Sequence, residues 1–324
     1  MKRVTRSFRL LAPTIAIAIA CSVAFGCGGG TSITQLPQTS NLANTPDGVP
    51  ITNAMLANRS SFSDFRYHMT PVLPPGTLSK PLGVVFPLDM TKGSGKVLTA
   101  TTQNDIFVNT TSAAVGTPTT FQSNYNLSTF ISVLNQYDGV TSAGKFPVGT
   151  SFTASVATFT NMISQDDLFN VIHAAAKLGG TGYGHQYHVF LAKGLDTCFD
   201  FGPCYAPDIG PPTFVFCAYH GSLTYTDIGH VIYSIMPYQD VAGCGDFGLS
   251  GLPNVSPIDS TATTLSHETA ESISDPDPNT GWFNSTFGME IGDVCNSLRA
   301  LETLNGHKYV IQPEYSNSAH GCFF

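Results

Sequence analysis

The sequence predicts an α+β fold, a mixed sheet with flanking helices and an active-site helix resembling that of zinc peptidases, braced by disulfides. Three observations carry this expectation. Short runs rich in Val, Ile, Phe and Tyr lie between Gly- and Pro-rich connections, three segments carry helical spacing or helix-ending signals, and the exported part holds an even number of cysteines. No internal repeat is visible, which argues against a solenoid or a propeller.

Residues 82–88 and 105–108 read as short strands early in the folded part. The spacing of Leu127, Phe130, Ile131 and Leu134 predicts an amphipathic helix over 126–137, with a polar start at Asn126, Ser128 and Thr129. Leu168, Val171, Ile172 and Ala175 repeat that spacing over 166–178, and Gly179-Gly180 stops the helix. His173 sits among apolar neighbours there and reads as a packed or surface helix residue rather than a ligand. Three strands follow at 187–191, 213–219 and 230–236, and a further helix spans 260–274. Pro276 and Pro278 cannot continue that helix, so the chain leaves it directly after Glu271. The tail mixes turns with short strand-like pieces such as 309–312.

The N-terminus reads as a targeting segment. Lys2, Arg3, Arg6 and Arg9 form a basic start, and the apolar run 10–25, interrupted by Pro13, is short for a membrane span. Small residues then precede Cys27 and Gly28-Gly29-Gly30, the pattern of a bacterial lipoprotein signal over 1–26 with Cys27 as the lipidated residue; Cys21 is the alternative acceptor, and an ordinary cleaved secretory peptide the alternative reading. Residues 27–60, rich in Gly, Ser, Thr, Asn and Pro, read as a flexible tether, and 61–324 as one domain. The expected location is the bacterial surface, on the outer membrane where the cell has one, with the lipid anchor as the membrane contact.

Removing 1–26 takes away four of the fourteen Lys and Arg and none of the 22 Asp and Glu, so the formal charge moves from −8 to −12. Such an acidic chain lacks the clustered cations that nucleic acid or an anionic membrane surface requires. The cysteines left behind an export signal are Cys198, Cys204, Cys217, Cys244, Cys295 and Cys322. Six cysteines allow 15 pairings. Local spacing favours 198–204, 217–244 and 295–322, and the lack of any Cys-x-x-Cys pair argues against a cysteine metal site.

The most informative segment is Ser266-His267-Glu268-Thr269-Ala270-Glu271. Residues at i and i+4 share a helix face, so His267 and Glu271 are placed to hold one ion, with Glu268 beside it as general base. Zinc is the expected cofactor, with other divalent ions open because a His/Glu pair is harder and more anionic than two histidines. A third ligand is needed. Glu290 and Asp293 rank above Asp277, whose Asp-Pro-Asp-Pro setting reads as turn chemistry. His220 is expected as an oxyanion-stabilising residue or a ligand arriving from a strand. Tyr219, Tyr233 and Tyr238 are cleft candidates by position alone, with core packing the alternative. Calcium is weaker because no regular Asp-rich loop occurs.

Together, Cys217-Ala218-Tyr219-His220-Gly221, Tyr233-Ser234-Ile235-Met236-Pro237-Tyr238, His267-Glu268-x-x-Glu271 with Asp275-Pro276, Gly281-Trp282-Phe283 and Glu290-Ile291-Gly292-Asp293-x-Cys295 resemble a set of exported bacterial proteins distantly similar to the plant phosphate-induced, EXORDIUM-like proteins. The likeness covers about residues 80 to 324. It implies a secreted α+β domain with a zincin-like helix, and plant relatives with growth-related roles in the cell wall. The resulting expectation is a monomeric, surface-anchored lipoprotein with a metallopeptidase-like hydrolase domain acting on a peptide or cell-wall substrate. The alternative is a non-catalytic extracellular or cell-wall binding protein of the EXORDIUM-like type.

Overall fold

In the computed structural model, which describes residues 47–73, 89–244 and 257–324, a seven-stranded sheet forms the middle layer. In chain order its strands are β1 (Val49–Ile51), β2 (Phe62–Pro71), β3 (Thr102–Val108), β4 (Phe152–Ala154), β5 (His185–Leu191), β6 (Phe216–Tyr225) and β7 (Gly229–Met236). In space they run β1-β4-β3-β5-β7-β6-β2. The first five in that order are mutually parallel, and β6 is antiparallel to both β7 and the edge strand β2. The expected mixed sheet with flanking helices is present, but most of it is parallel, so the architecture is nearer α/β than α+β. The reason is visible at β3 and β5, which end in the apolar runs Ile106-Phe107-Val108 and Val189-Phe190-Leu191, buried on both faces as parallel strands are.

Side-chain alternation sends Ile106, Val108, Val189 and Leu191 to one face and Phe107 and Phe190 to the other. The first face is covered by α3 (Gln165–Gly179), after the short α1 (Asn53–Ala57) and α2 (Pro118–Asn126). The Ser164 hydroxyl caps α3 by accepting from Asp167 N–H, Asp166 and Asp167 meet its positive end, and Gly180, at φ +114°, lets the chain leave. His173 is packed as expected, its ring nitrogen 2.9 Å from Asp227. The second face is covered by α4 (Pro257–Ser274) together with the C-terminal hairpins β8 (Ala300–Leu304) with β9 (His307–Ile311) and β10 (Glu314–Ser316) with β11 (Gly321–Phe323).

The described side chains of α4 are buried on all sides although it is rich in Ser and Thr. Burial is tolerable for the hydroxyls that find acceptors. Thr261 donates to Val115 O, Thr263 to Val310 O, Thr264 to Gln239 Oε1 and Ser266 to Thr263 O, each within 2.9 Å. Beneath α4 the sheet carries a polar row at one register level: His68 on β2 faces His220 on β6, then Ser234 on β7, His188 on β5 and Asp105 on β3.

Several expected elements shift. The helix expected over 126–137 is instead α2, a 3-10 turn at Phe130–Leu134 and a short turn at Asn135–Asp138. Pro118 starts α2 early, and Asn126 and Ser128 break the run by spending their side chains on Phe146 N–H and Tyr125 O. The strand expected over 213–219 runs on to Tyr225, which places His220 inside the sheet. The tether expected over 27–60 ends sooner, because Val49 already donates to Ser151 O at 2.8 Å and β1 joins the sheet. The strand expected at 82–88, the signal segment, Cys21 and Cys27 lie outside the described residues.

The three disulfides pair Cys198 with Cys204, Cys217 with Cys244 and Cys295 with Cys322, as local spacing favoured. They fit an oxidising compartment. No helix among the described residues is long and apolar enough to cross a membrane.

Replacing Cys295 and Cys322 by Ser, which opens a link across a sequence separation of 27, should lower the unfolding free energy by about 3–4 kcal/mol in a urea titration. A second expectation concerns Asp105. Burial pushes its carboxyl up to about 7, and bonds from Thr119 and Gln122 offset only part of that. Below the unfolded value of about 4 both states are protonated. From there to pH 7 only the unfolded chain releases the proton, so this residue makes stability fall as pH rises and level off above. Asp105→Asn should remove that slope, the wild type losing on the order of 2–4 kcal/mol relative to the variant between pH 4 and pH 8.

Candidate metal centre

Four elements bring histidines and carboxylates together under α4. β2 supplies His68 and Thr70, β6 supplies His220, α4 supplies His267, Glu268 and Glu271, and the segment after α4 supplies Glu290 and Asp293. The i, i+4 spacing does place His267 against Glu271, with Nε2 3.1 Å from Oε2. Glu268 and Glu271 both reach His220, whose Nδ1 stands 3.3 Å from Glu268 Oε2 and 3.6 Å from Glu271 Oε2. Glu290 lies between two rings, Oε1 3.3 Å from His68 Nδ1 and Oε2 3.5 Å from His220 Nε2. Asp293 accepts from His68 Nε2 at 2.6 Å.

Among the described residues, two sets of three offer ligand atoms that all lie within 4.8 Å of one another: His220, Glu268 and Glu271, and His68, Glu271 and Asp293. Glu271 belongs to both. The expected zinc-protease layout is therefore not what assembles. His267 and Glu271 meet, but no third ligand atom completes a set with His267, and Glu268, expected as a general base, stands among the candidate ligands. Asp277 is excluded as a ligand because its carboxylate accepts from Tyr183 and Ser222, each at 2.6 Å, and pairs with His230 at 3.1 Å.

Ring orientation explains why His220 and His267 differ. His220 Nε2 donates to Asp275 O at 3.3 Å, so in the neutral ring Nδ1 is a bare lone pair aimed at two carboxylate oxygens. For His267 the decisive neighbour is Gln312. Its Oε1 accepts from Arg299 and its Nε2 donates to Gly292 O, which fixes the amide so that Nε2 also faces His267 Nδ1 at 2.9 Å. In the neutral ring His267 Nδ1 is then the acceptor and Nε2 carries the proton, toward Glu271. His267 thus orients Glu271 rather than offering it a shared ligand site.

The supports of each carboxylate are equally specific. Thr70 donates to Glu268 Oε1 at 2.5 Å, and Glu271 Oε1 accepts the N–H groups of Gly292 and Asp293 at 3.1 and 3.0 Å. Asp275 accepts three backbone N–H groups, from Asn279, Thr280 and Gly281, and so closes the chain beyond α4. Within this cluster the buried atoms left unpartnered are His220 Nδ1, His267 Nε2, Glu268 Oε2, Glu271 Oε2 and both oxygens of Glu290 and of Glu314. Several of these stand within ion-pair distance of each other but off the line that a hydrogen bond needs.

Electrostatics points the same way. Burial disfavours a charged His68, yet the Asp293 charge and bond push its pKa up to about 9. Burial likewise opposes His267, and Glu271 pushes it up to about 10. Glu271, against the effect of burial, is held down to about 2 by the neighbouring histidines, chiefly His267. Burial, reinforced by the Glu271 charge, drives Glu290 well above the usual carboxylate range, and burial does the same to Glu314. Both the raised histidines and the raised carboxylates answer an excess of buried carboxylates. Only its His68 and Asp293 edge reaches solvent, with side chains 13% and 9% exposed.

Sequence reasoning missed His68, Thr70, Gln312, Asp275 and Glu314. The signal for the first two is the alternation Phe65, Tyr67, Met69 against Arg66, His68, Thr70, a period-two pattern of an edge strand. Tyr219 and Tyr233, cleft candidates by position, pack on the opposite face of the sheet, under α3. Tyr238 borders the second core and takes the Tyr205 hydroxyl on its carbonyl. Compared with known protein families, with characterised proteins and with solved structures, the chain finds no match, so any function must be argued from this cluster.

Gly292 tests the geometry directly. Its φ of −78° suits any residue, but an added Cβ would stand 2.7 Å from His267 Nδ1 and 2.9 Å from Glu271 Oε1. Gly292→Ala should cost about 1–3 kcal/mol in denaturant unfolding through overpacking alone. A neutral outcome would mean that the loop does not lie against α4.

Proposed function

We propose that this chain is an exported metal-dependent hydrolase whose divalent ion is held by His220, Glu268 and Glu271. The observation that carries the reading is the convergence of buried, unpartnered atoms: the Nδ1 lone pair of His220 with Glu268 Oε2 and Glu271 Oε2. Without a cation these atoms repel one another at a cost that folding seldom tolerates. Their spacings of 3.3 and 3.6 Å suit a tetrahedral ion, whose ligands at about 2.0–2.2 Å stand about 3.3–3.6 Å apart. Zinc accepts this mixed nitrogen and oxygen set, and other divalent ions do as well.

When bound, such an ion would supply Lewis acidity and lower the pKa of a water at its open position. The protein's own groups do the rest. The Asp275 carbonyl sets the His220 tautomer, Thr70 anchors Glu268, and His267 with the N–H groups of Gly292 and Asp293 orients Glu271. Glu290, unpartnered beside His220 and raised by burial, is the proton acceptor. It takes the role first expected of Glu268. The His68 and Asp293 edge is where a peptide or cell-wall substrate would approach.

Complete burial of the side chains of His220, Glu268, Glu271 and Glu290 favours a second reading, a structural ion in a non-catalytic extracellular or cell-wall binding module of the EXORDIUM-like type. The pattern ending at Cys27 supports a lipid anchor for either reading; Cys27→Ser should move the protein from the membrane fraction to the soluble one, and unchanged partitioning would remove the anchor.

The full chain should retain at least one divalent ion per molecule by elemental analysis after dialysis. Glu271→Gln should lower that content more than tenfold. Glu290→Gln should keep the ion while peptide hydrolysis falls by about 10²–10⁴. Metal-free protein of unchanged thermal stability would contradict both readings. Binding to peptidoglycan that survives chelation, in a protein without hydrolytic activity, would favour the second.

A further inference from the structure

A second set of donors lies beside the first, its His68 and Asp293 now bonded to each other at 2.6 Å. His68, Glu271 and Asp293 offer ligand atoms within 4.8 Å of one another, beside the His220, Glu268 and Glu271 set and sharing Glu271 with it. An independent feature ties the two sets together. Glu290 is fully buried, neither of its oxygens has a hydrogen-bond partner, and one oxygen faces each set: Oε1 is 3.3 Å from His68 and Oε2 is 3.5 Å from His220. A carboxylate suspended between two imidazoles without a bond to either is costly unless something positively charged or proton-donating fills the space.

We infer that the cluster is a two-ion centre, with a second divalent cation on the His68 and Asp293 side that shares Glu271 with the first. This rests on the metal reading above and deepens it. Charge favours it. Glu268, Glu271, Glu290, Asp275 and Glu314 are all buried, with Asp293 at the edge, so carboxylates outnumber His68, His220, His267 and Arg299 in the cluster. The positions of the donors also match: His68 and His220 are cross-strand partners on β2 and β6, and their ring centres are 5.9 Å apart, so each strand contributes one imidazole to one half. Glu290 stands beside both donor sets, where it would accept the proton of a water that a paired centre activates.

The two halves are not equivalent. The first set is fully buried, while His68 and Asp293 are partly exposed and Glu271 Oε1 is already engaged by two backbone N–H groups. The second ion should therefore bind at least tenfold more weakly than the first and exchange faster.

The test uses the full chain dialysed against excess zinc and then against buffer, with metal counted by elemental analysis, alongside chelator-stripped protein refilled with manganese and read by electron paramagnetic resonance. Two zinc ions per chain, falling to one in His68→Gln with unchanged circular dichroism, and a spin-coupled manganese spectrum are expected. Saturation at one zinc ion overturns the inference and leaves the single-ion reading standing. Two ions that persist in His68→Gln, or an uncoupled manganese spectrum at two equivalents, overturn it as well. No bound ion at all overturns the metal reading beneath it. Should His68→Gln lose its fold, Asp293→Asn read for the same drop from two ions to one decides the matter.

Discussion

The Glu271 carboxylate is the interaction on which the rest of the site depends. One oxygen is taken by the N–H groups of Gly292 and Asp293, and the other meets His267 and looks toward His220. That arrangement forces the segment after α4 to fold back over the helix, and it fixes Glu290 and Asp293 as neighbours of β2 and β6. It also concentrates carboxylates in a fully buried region. A fold that buries several carboxylates under one helix must supply compensating charge, because an uncompensated buried carboxylate costs several kcal/mol. Arg299 is one source, and the raised histidines mark the shortfall that remains.

The architecture serves this constraint. α4 is rich in Ser, Thr and Ala, so it approaches the sheet closely, and the hydroxyls of Thr261, Thr263 and Thr264 are satisfied by backbone and Gln239. The polar row from His68 to Asp105 gives the sheet a hydrophilic line where a parallel sheet would otherwise be apolar. Burial holds His188 uncharged in that row, its pKa pushed down to about 3, bonded to Ser234 and Gln103. The row is therefore neutral at His188 and charged at its His68 end. The disulfide of Cys295 with Cys322 ties the segment bearing Asp293 to the final hairpin, and that of Cys217 with Cys244 holds the start of β6.

Much of this was legible in the sequence, and the failures have physical causes. The helix over 165–179 could be read because cap, apolar stripe and glycine stop agree. The disulfide pairing followed from short spacings. The His267 and Glu271 contact is a local i, i+4 relation and needed no tertiary knowledge. What could not be read was tertiary: His68 is 200 residues from Glu268, and only the pairing of β2 with β6 brings it beside His220. The setting of His267 could not be read either, because the amide that faces its Nδ1 belongs to Gln312, a residue 45 positions away. The mostly parallel sheet was missed because two of its strands, β1 and β4, are three residues long and carry no periodicity to detect.

The central claim is that a cation sits among His220 Nδ1, Glu268 Oε2 and Glu271 Oε2. Anomalous diffraction from crystals of the full chain, collected above and below the zinc absorption edge, tests it most directly. The account predicts an edge-dependent peak bounded by those three atoms, about 2.0–2.2 Å from each. Ordered water at that position with no anomalous signal, and imidazole and carboxylates paired by hydrogen bonds, would contradict it.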